Sequence, residues 1–164
     1  MVFVRPPSQS AGDDGIVLSI AYISIASKDL SAEELSALVD QSAASNARDG
    51  ITGMLVYHAG QFMQVIEGPE EAIKALMLRI RRDPRHHDVY ELFRRPVTER
   101  EFPTWTMTLC NSEALTVKDR SVLSDYLHQV RAGTGVGADR EDAARFGTAL
   151  LEQFCKAMLR HRPC

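Results

Sequence analysis

The segment ITGMLVYHAGQFMQVIEG, residues 51–68, decides the fold. Two apolar runs flank a short His-Ala-Gly turn, the pattern of a β-hairpin. Strand side chains alternate between two faces. In the second run Phe62, Gln64 and Ile66 therefore share one face, and Met63, Val65 and Glu67 share the other. Gln64 sits between two large apolar neighbours. Its amide brings two donors and an acceptor with two lone pairs, and burying such a group without partners costs about 1–3 kcal/mol. The hairpin therefore carries a chemical question: what Gln64 bonds to.

Working outward, GIVLSIAYISIAS (15–27) reads as the first strand, with Leu18, Ile20, Tyr22 and Ser24 on one face. A helix follows from Ser31, and Glu34 three residues on makes a capping box. Leu35, Leu38, Val39, Ser42 and Asn46 fall at helical spacing, so Ser42 and Asn46 continue the apolar stripe that faces the core. After the hairpin, GPEEAIKALMLRIRRDP (68–84) is a second helix. Pro69 suits its first position, acidic residues its first turn and arginines its last. Ile73, Leu76, Met77 and Ile80 form its stripe. HDVYELFRRPVTE (87–99) is a fourth strand and PTWTMTLC (103–110) a fifth, with Trp105, Met107 and Leu109 on one face. The order βαββαββ is a split βαβ pattern, an α+β fold with a mixed sheet and two helices on the face where Tyr22 and Gln64 point. Beyond Cys110 two helical stretches, 112–130 and 139–162, flank the Gly-rich RAGTGVGA. They are expected to cover the sheet's other face or an edge.

The chain of 164 residues is one domain in length, and its 45% hydrophobic and 25% charged content is that of a globular protein. A net charge of −3 argues against a general nucleic-acid or acidic-membrane binder. No apolar run approaches the roughly 20 residues of a membrane helix. Residues 1–14 are polar and proline-bearing, read as a flexible tail and not a signal peptide. Cys110, Cys155 and Cys164 match no zinc or redox spacing and read as reduced thiols of a cytoplasmic protein. His58, His86, His87, His128 and His161 lack metal-ligand spacing, so no metal site is expected.

Tyr22, Ser42, Asn46 and Gln64 converge on one inter-helix groove. Any one of them alone reads as a core polar residue satisfied by backbone. Together they suit a flat ligand with carbonyl and N–H edges, such as a flavin ring. The basic run RRDPRHHD (81–88) reads first as charge complementing a helix C-terminus; its functional reading is a phosphate contact by Arg85 or His86. GITG (50–53) reads as a turn, or as a place where a ligand approaches backbone closely.

AYISIAS, the Ser42-x-x-x-Asn46 spacing, GITGMLVY, GQFMQVIEG, RIRRDPRH and EFPTWTM stand in order over residues 15–112. In this set the chain resembles a BLUF domain, a blue-light sensor using flavin. The resemblance implies a ferredoxin-like fold and FAD as cofactor. Tyr22 and Gln64 resemble the photoactive pair and Asn46 the residue that hydrogen-bonds the ring. Ser42, Trp105 and Met107 line up with pocket residues, and Arg85 with a residue near the flavin tail. The family often has Arg after the helix serine and Asn or His before the key Asn; here these are Ala43 and Ser45. One hydrogen bond to the ring edge is then absent or remade by Ser45. Residues 113–164 resemble no cyclase, phosphodiesterase or DNA-binding module, so the chain is similar to the short members of the family. These are not enzymes and signal through a separate protein. A homo-oligomer is expected, with 113–164 as the output extension. The rival classes are a light-insensitive ferredoxin-like interaction module and an acylphosphatase-like enzyme. ISIASKDL stands where the latter would carry its Arg-bearing phosphate loop.

Overall fold

The computed structural model describes residues 16–111, 117–132 and 149. The elements follow the expected order: β1 (Val17–Ala26), α1 (Ala32–Asp49), β2 (Thr52–His58), β3 (Gln61–Pro69), α2 (Glu70–Arg82), β4 (His86–Val97), β5 (Thr108–Asn111) and α3 (Val117–Arg131). One sheet runs in the order β4-β1-β3-β2-β5. Its pairs are antiparallel except β2 with β5, which are parallel. The first of the two expected C-terminal helices is α3. The second lies outside the described residues except for Ala149, which is helical.

Local chemistry accounts for the boundaries. Ser31 caps α1 with both bonds of the capping box: Glu34 N–H donates to Ser31 Oγ at 3.2 Å, and Ser31 N–H donates to Glu34 Oε2 at 3.0 Å. Gly50 ends the helix at φ 68°, where a side chain would be strained. The hairpin turns through Ala59 and Gly60 at φ 48° and 74°, as a two-residue loop matching strand twist requires. Pro69 departs from expectation. It is the last residue of β3 and stands before α2, which starts at Glu70. Pro96 lies in β4, an edge strand, where proline's missing donor does least harm.

The even positions of β1 and β3 and the odd positions of β2 face α1 and α2. Leu18, Ile20, Tyr22, Leu55, Phe62, Ile66, Ile73 and Met77 form that core, with Leu35, Leu38, Val39, Leu76 and Ile80 packed on it. The opposite face is buried too: Ala21, Ile23, Met54, Val56, Met63, Val65 and Glu67.

Two features at the β2 edge differ from the sequence reading. The fifth strand begins only at Thr108, so Trp105 and Met107 lie in the irregular segment before it. Gly53 admits protein and not a ligand: a Cβ there would meet the Val65 carbonyl oxygen at 2.1 Å. Its N–H instead donates to the Trp105 carbonyl at 2.7 Å, holding segment 100–107 along the sheet edge.

Candidate functional site

The sheet and the two helices enclose a groove of about 240 Å³. Tyr22 and Gln64 form part of it, on β1 and β3, directly opposite each other in the strand register. The Tyr22 hydroxyl donates to Gln64 Oε1. Gln64 Nε2 donates to Met107 Sδ at 3.3 Å. Tyr22 is 4% exposed and Gln64 7%, so both ends of the amide are engaged away from water. That answers the question the hairpin poses.

α1 supplies one wall through Leu38, Gln41, Ser42, Ser45 and Asn46, one face of the helix by its i, i+3, i+4, i+7 and i+8 spacing. Asn46 is buried, and its Nδ2 donates to the Thr106 carbonyl at 2.9 Å. One of its two amide hydrogens is therefore held by backbone. Ser45 Oγ accepts from Arg48 at 3.3 Å. α2 supplies the other wall through Leu76, Arg79 and Ile80. The mouth is charged. Arg85 grips Asp83 through Nε at 2.9 Å and Nη2 at 2.5 Å, and its Nη1 reaches Gln41 on α1 at 3.1 Å. Arg79 spans from α2 to Asp49 on α1 at 3.0 Å.

Of the residues expected at the site, Tyr22, Ser42, Asn46, Gln64 and Arg85 line this one groove, and Met107 reaches it through Gln64. Trp105 does not line it; its ring stacks on Phe102 at a centroid distance of 5.8 Å. Gln41, Arg79 and Asp83 were not singled out from the sequence. Gln41 precedes Ser42 on the α1 stripe and Arg79 borders the α2 stripe, so widening each stripe by one position finds them. His86, the other candidate in the basic run, also lines the groove, with its Nδ1 2.9 Å from Ser24 Oγ.

Residues 17–108 match the family model "Sensors of blue-light using FAD". The chain belongs to the BLUF family. It is 42% identical over 110 residues to the photoactivated adenylate cyclase subunit beta of Euglena gracilis, a match covering 66% of this chain and 13% of that protein. A bacterial light-regulated adenylyl cyclase superposes with a TM-score of 0.68 at 32% identity, over 71% of this chain and 35% of that one. The dark-state structure of the BLUF protein BlrB superposes at 0.61 and 29% identity, over 73% and 89%. The chain thus spans about an eighth of the curated relative's length, and carries a blue-light flavin sensor domain.

The BLUF groove suits a flavin on its own chemistry. Leu38, Leu55, Phe62, Leu76 and Ile80 offer apolar surface to a flat ring, Gln41, Ser42, Ser45, Asn46 and Gln64 offer amide and hydroxyl groups to a polar edge, and Arg79 and Arg85 add positively charged groups to the lining. Among the described residues no group of three or more His, Cys, Asp or Glu could hold a metal ion. No described helix is long and apolar enough to cross a membrane.

Burial pushes the Tyr22 hydroxyl well above the ordinary tyrosine range, and the charge of Asp83 adds to this. Arg85 in turn holds Asp83 ionised, below the usual carboxylate range. Tyr22 therefore stays a proton donor at any physiological pH. The sign for stability follows by linkage. The unfolded tyrosine ionises near pH 10 while the folded one does not, so Tyr22 favours folding below that pH and loses this contribution as pH rises above it. Alkaline melts should show the wild type losing stability above about pH 10, with Tyr22→Phe losing less; equal slopes would show that Tyr22 is not the group responsible. His86 is shifted down, first by burial and then by the charges of Arg85 and His87, with Asp83 opposing.

Proposed function

We propose that this chain binds FAD in the inter-helix groove and reports blue light by switching the hydrogen bonds of Gln64. The observation that carries this is the buried cross-strand bond from Tyr22 to Gln64, facing the groove with Met107 at the amide's other end. The flavin supplies the blue-light absorption and an excited state that accepts an electron. Tyr22 holds the proton and electron to be given. Gln64, bonded to that hydroxyl, would stand between it and the ring. Its amide has two ends of opposite polarity and similar shape, so rotation or tautomerisation exchanges its bonds at little steric cost. Asn46 has one amide hydrogen beyond the bond to Thr106 and would offer it to the ring, Ser42 and Ser45 would serve the same edge, and Arg85 and Arg79 would hold the phosphates. The choice of FAD over a shorter flavin is supported by the family description, which names FAD.

In this reading the chain is not an enzyme. The likeness to the cyclases runs over their sensor part and leaves most of their length uncovered. It acts in the cytoplasm, as a homo-oligomer, on a separate signalling protein, with residues 113–164 as the output extension. The purified protein is expected to be yellow, and blue light to shift its spectrum reversibly to the red. A folded, colourless protein that takes up no added FAD overturns the proposal and leaves the light-insensitive module.

The output part has its own test. A chain ending at Ser112 is expected to keep the red shift while losing light-dependent association, read by partner capture or by oligomer size in the dark and under light. Helical circular dichroism and flavin content check that it folds. Undiminished light-dependent association would place the output surface on the sensor domain itself.

A further inference from the structure

The sheet face turned away from the groove carries a row of polar residues, one from each of four adjacent strands. Arg95 on β4 is the register partner of Ser19 on β1, Ser19 of Glu67 on β3, and Glu67 of Thr52 on β2. The row is deeply buried at its centre: Ser19 is 1% exposed and Glu67 0%. Part of it is satisfied by segment 100–107. Phe102 N–H donates to Glu67 Oε2 at 3.1 Å, Arg100 donates to Thr52 Oγ1 at 3.0 Å and to the Glu67 carbonyl at 3.2 Å, and Arg95 Nη2 pairs with Glu101 at 2.7 Å. What remains is specific. Among the described residues, three buried side-chain atoms have no partner, and all three lie in this row: Ser19 Oγ, Glu67 Oε1 and Arg95 Nε.

We infer that Ser19, Glu67 and Arg95 form an internal site for one ordered water molecule. The donor set selects that ligand. Arg95 Nε–H only donates, the Glu67 carboxylate accepts, and the serine hydroxyl does either. A cation would face the guanidinium and an anion the carboxylate, so a small neutral molecule with both donor and acceptor character is what the three share. A buried water makes about three hydrogen bonds to otherwise unsatisfied groups, the number available here. Ser19 has the small side chain and stands in register between the two long ones. The water accepts from Arg95 and donates to Glu67 and Ser19. It thereby links edge strand β4 to the carboxylate that holds Phe102, and does so independently of how the groove binds flavin.

The test is a high-resolution crystal structure of the full-length flavin-loaded protein, together with a double-mutant cycle in thermal melts. Electron density for one water within hydrogen-bond distance of Arg95 Nε, Ser19 Oγ and Glu67 Oε1 is the expected result. Ser19→Ala and Glu67→Gln each remove part of the shared site, so their melting-temperature losses should fall short of adding, the double variant losing clearly less than the sum. Glu67→Gln keeps the shape and an acceptor for Phe102, so folding is retained. A direct Glu67–Arg95 ion pair, a dry space above Ser19, or strictly additive losses would overturn the inference.

Discussion

Gln64→Leu is expected to leave flavin bound and to abolish the light-induced red shift. Leucine nearly matches the volume of glutamine, so the groove keeps its floor between Phe62 and Ile66. What disappears is the acceptor for the Tyr22 hydroxyl and the donor to Met107 Sδ. The orphaned hydroxyl costs about 1–3 kcal/mol of stability, a loss a folded domain of this size commonly survives. Tyr22→Phe should give the same photochemical phenotype from the other end, since it removes the proton and leaves Gln64 Oε1 unpaired. Absorption spectra before and after blue illumination, with flavin content measured on the same samples, check both variants. A normal photoproduct from either would remove that residue from the switch.

Asn46→Ala is expected to weaken flavin binding by about 5- to 150-fold, the equivalent of one hydrogen bond of about 1–3 kcal/mol in a closed groove. The structure adds a second expected effect. Asn46 also holds the Thr106 carbonyl at 2.9 Å, and Thr106 neighbours the Met107 that touches Gln64. Loss of the side chain therefore frees segment 100–107 at its groove end, and dark recovery should change along with affinity. Flavin titration and the recovery rate after a light pulse measure the two effects separately. Unchanged affinity with altered recovery would assign Asn46 to the segment alone.

The two expectations rest on different levels of information. Period-two alternation was enough to put Tyr22 and Gln64 on one sheet face. Helical spacing was enough to put Ser42 and Asn46 on the facing helix stripe, because both periods are set by backbone geometry within a few residues. The capping box at Ser31 was legible for the same reason. Register was not. Alternation names the face a residue occupies but not its partner across the strand pair, so the direct pairing of Tyr22 with Gln64 appears only once β1 lies on β3.

The irregular segment before β5 was least legible of all. Trp105, Met107 and Leu109 read as one strand face, yet the strand starts at Thr108. Bonds from Gly53, Asn46, Gln64 and Glu67 decide instead that Met107 meets the glutamine while Trp105 stacks on Phe102. Glu67 shows the same limit: alternation placed it opposite Gln64, but its full burial in a polar row comes from four strands and a returning segment meeting at one place. The sequence alone thus determined the element order, the faces and the polar set of the groove, which depend on neighbours close in the chain. The tertiary structure decided register, groove mouth and the contacts of segment 100–107, which join residues some 30 to 60 positions apart and have no local periodic signal.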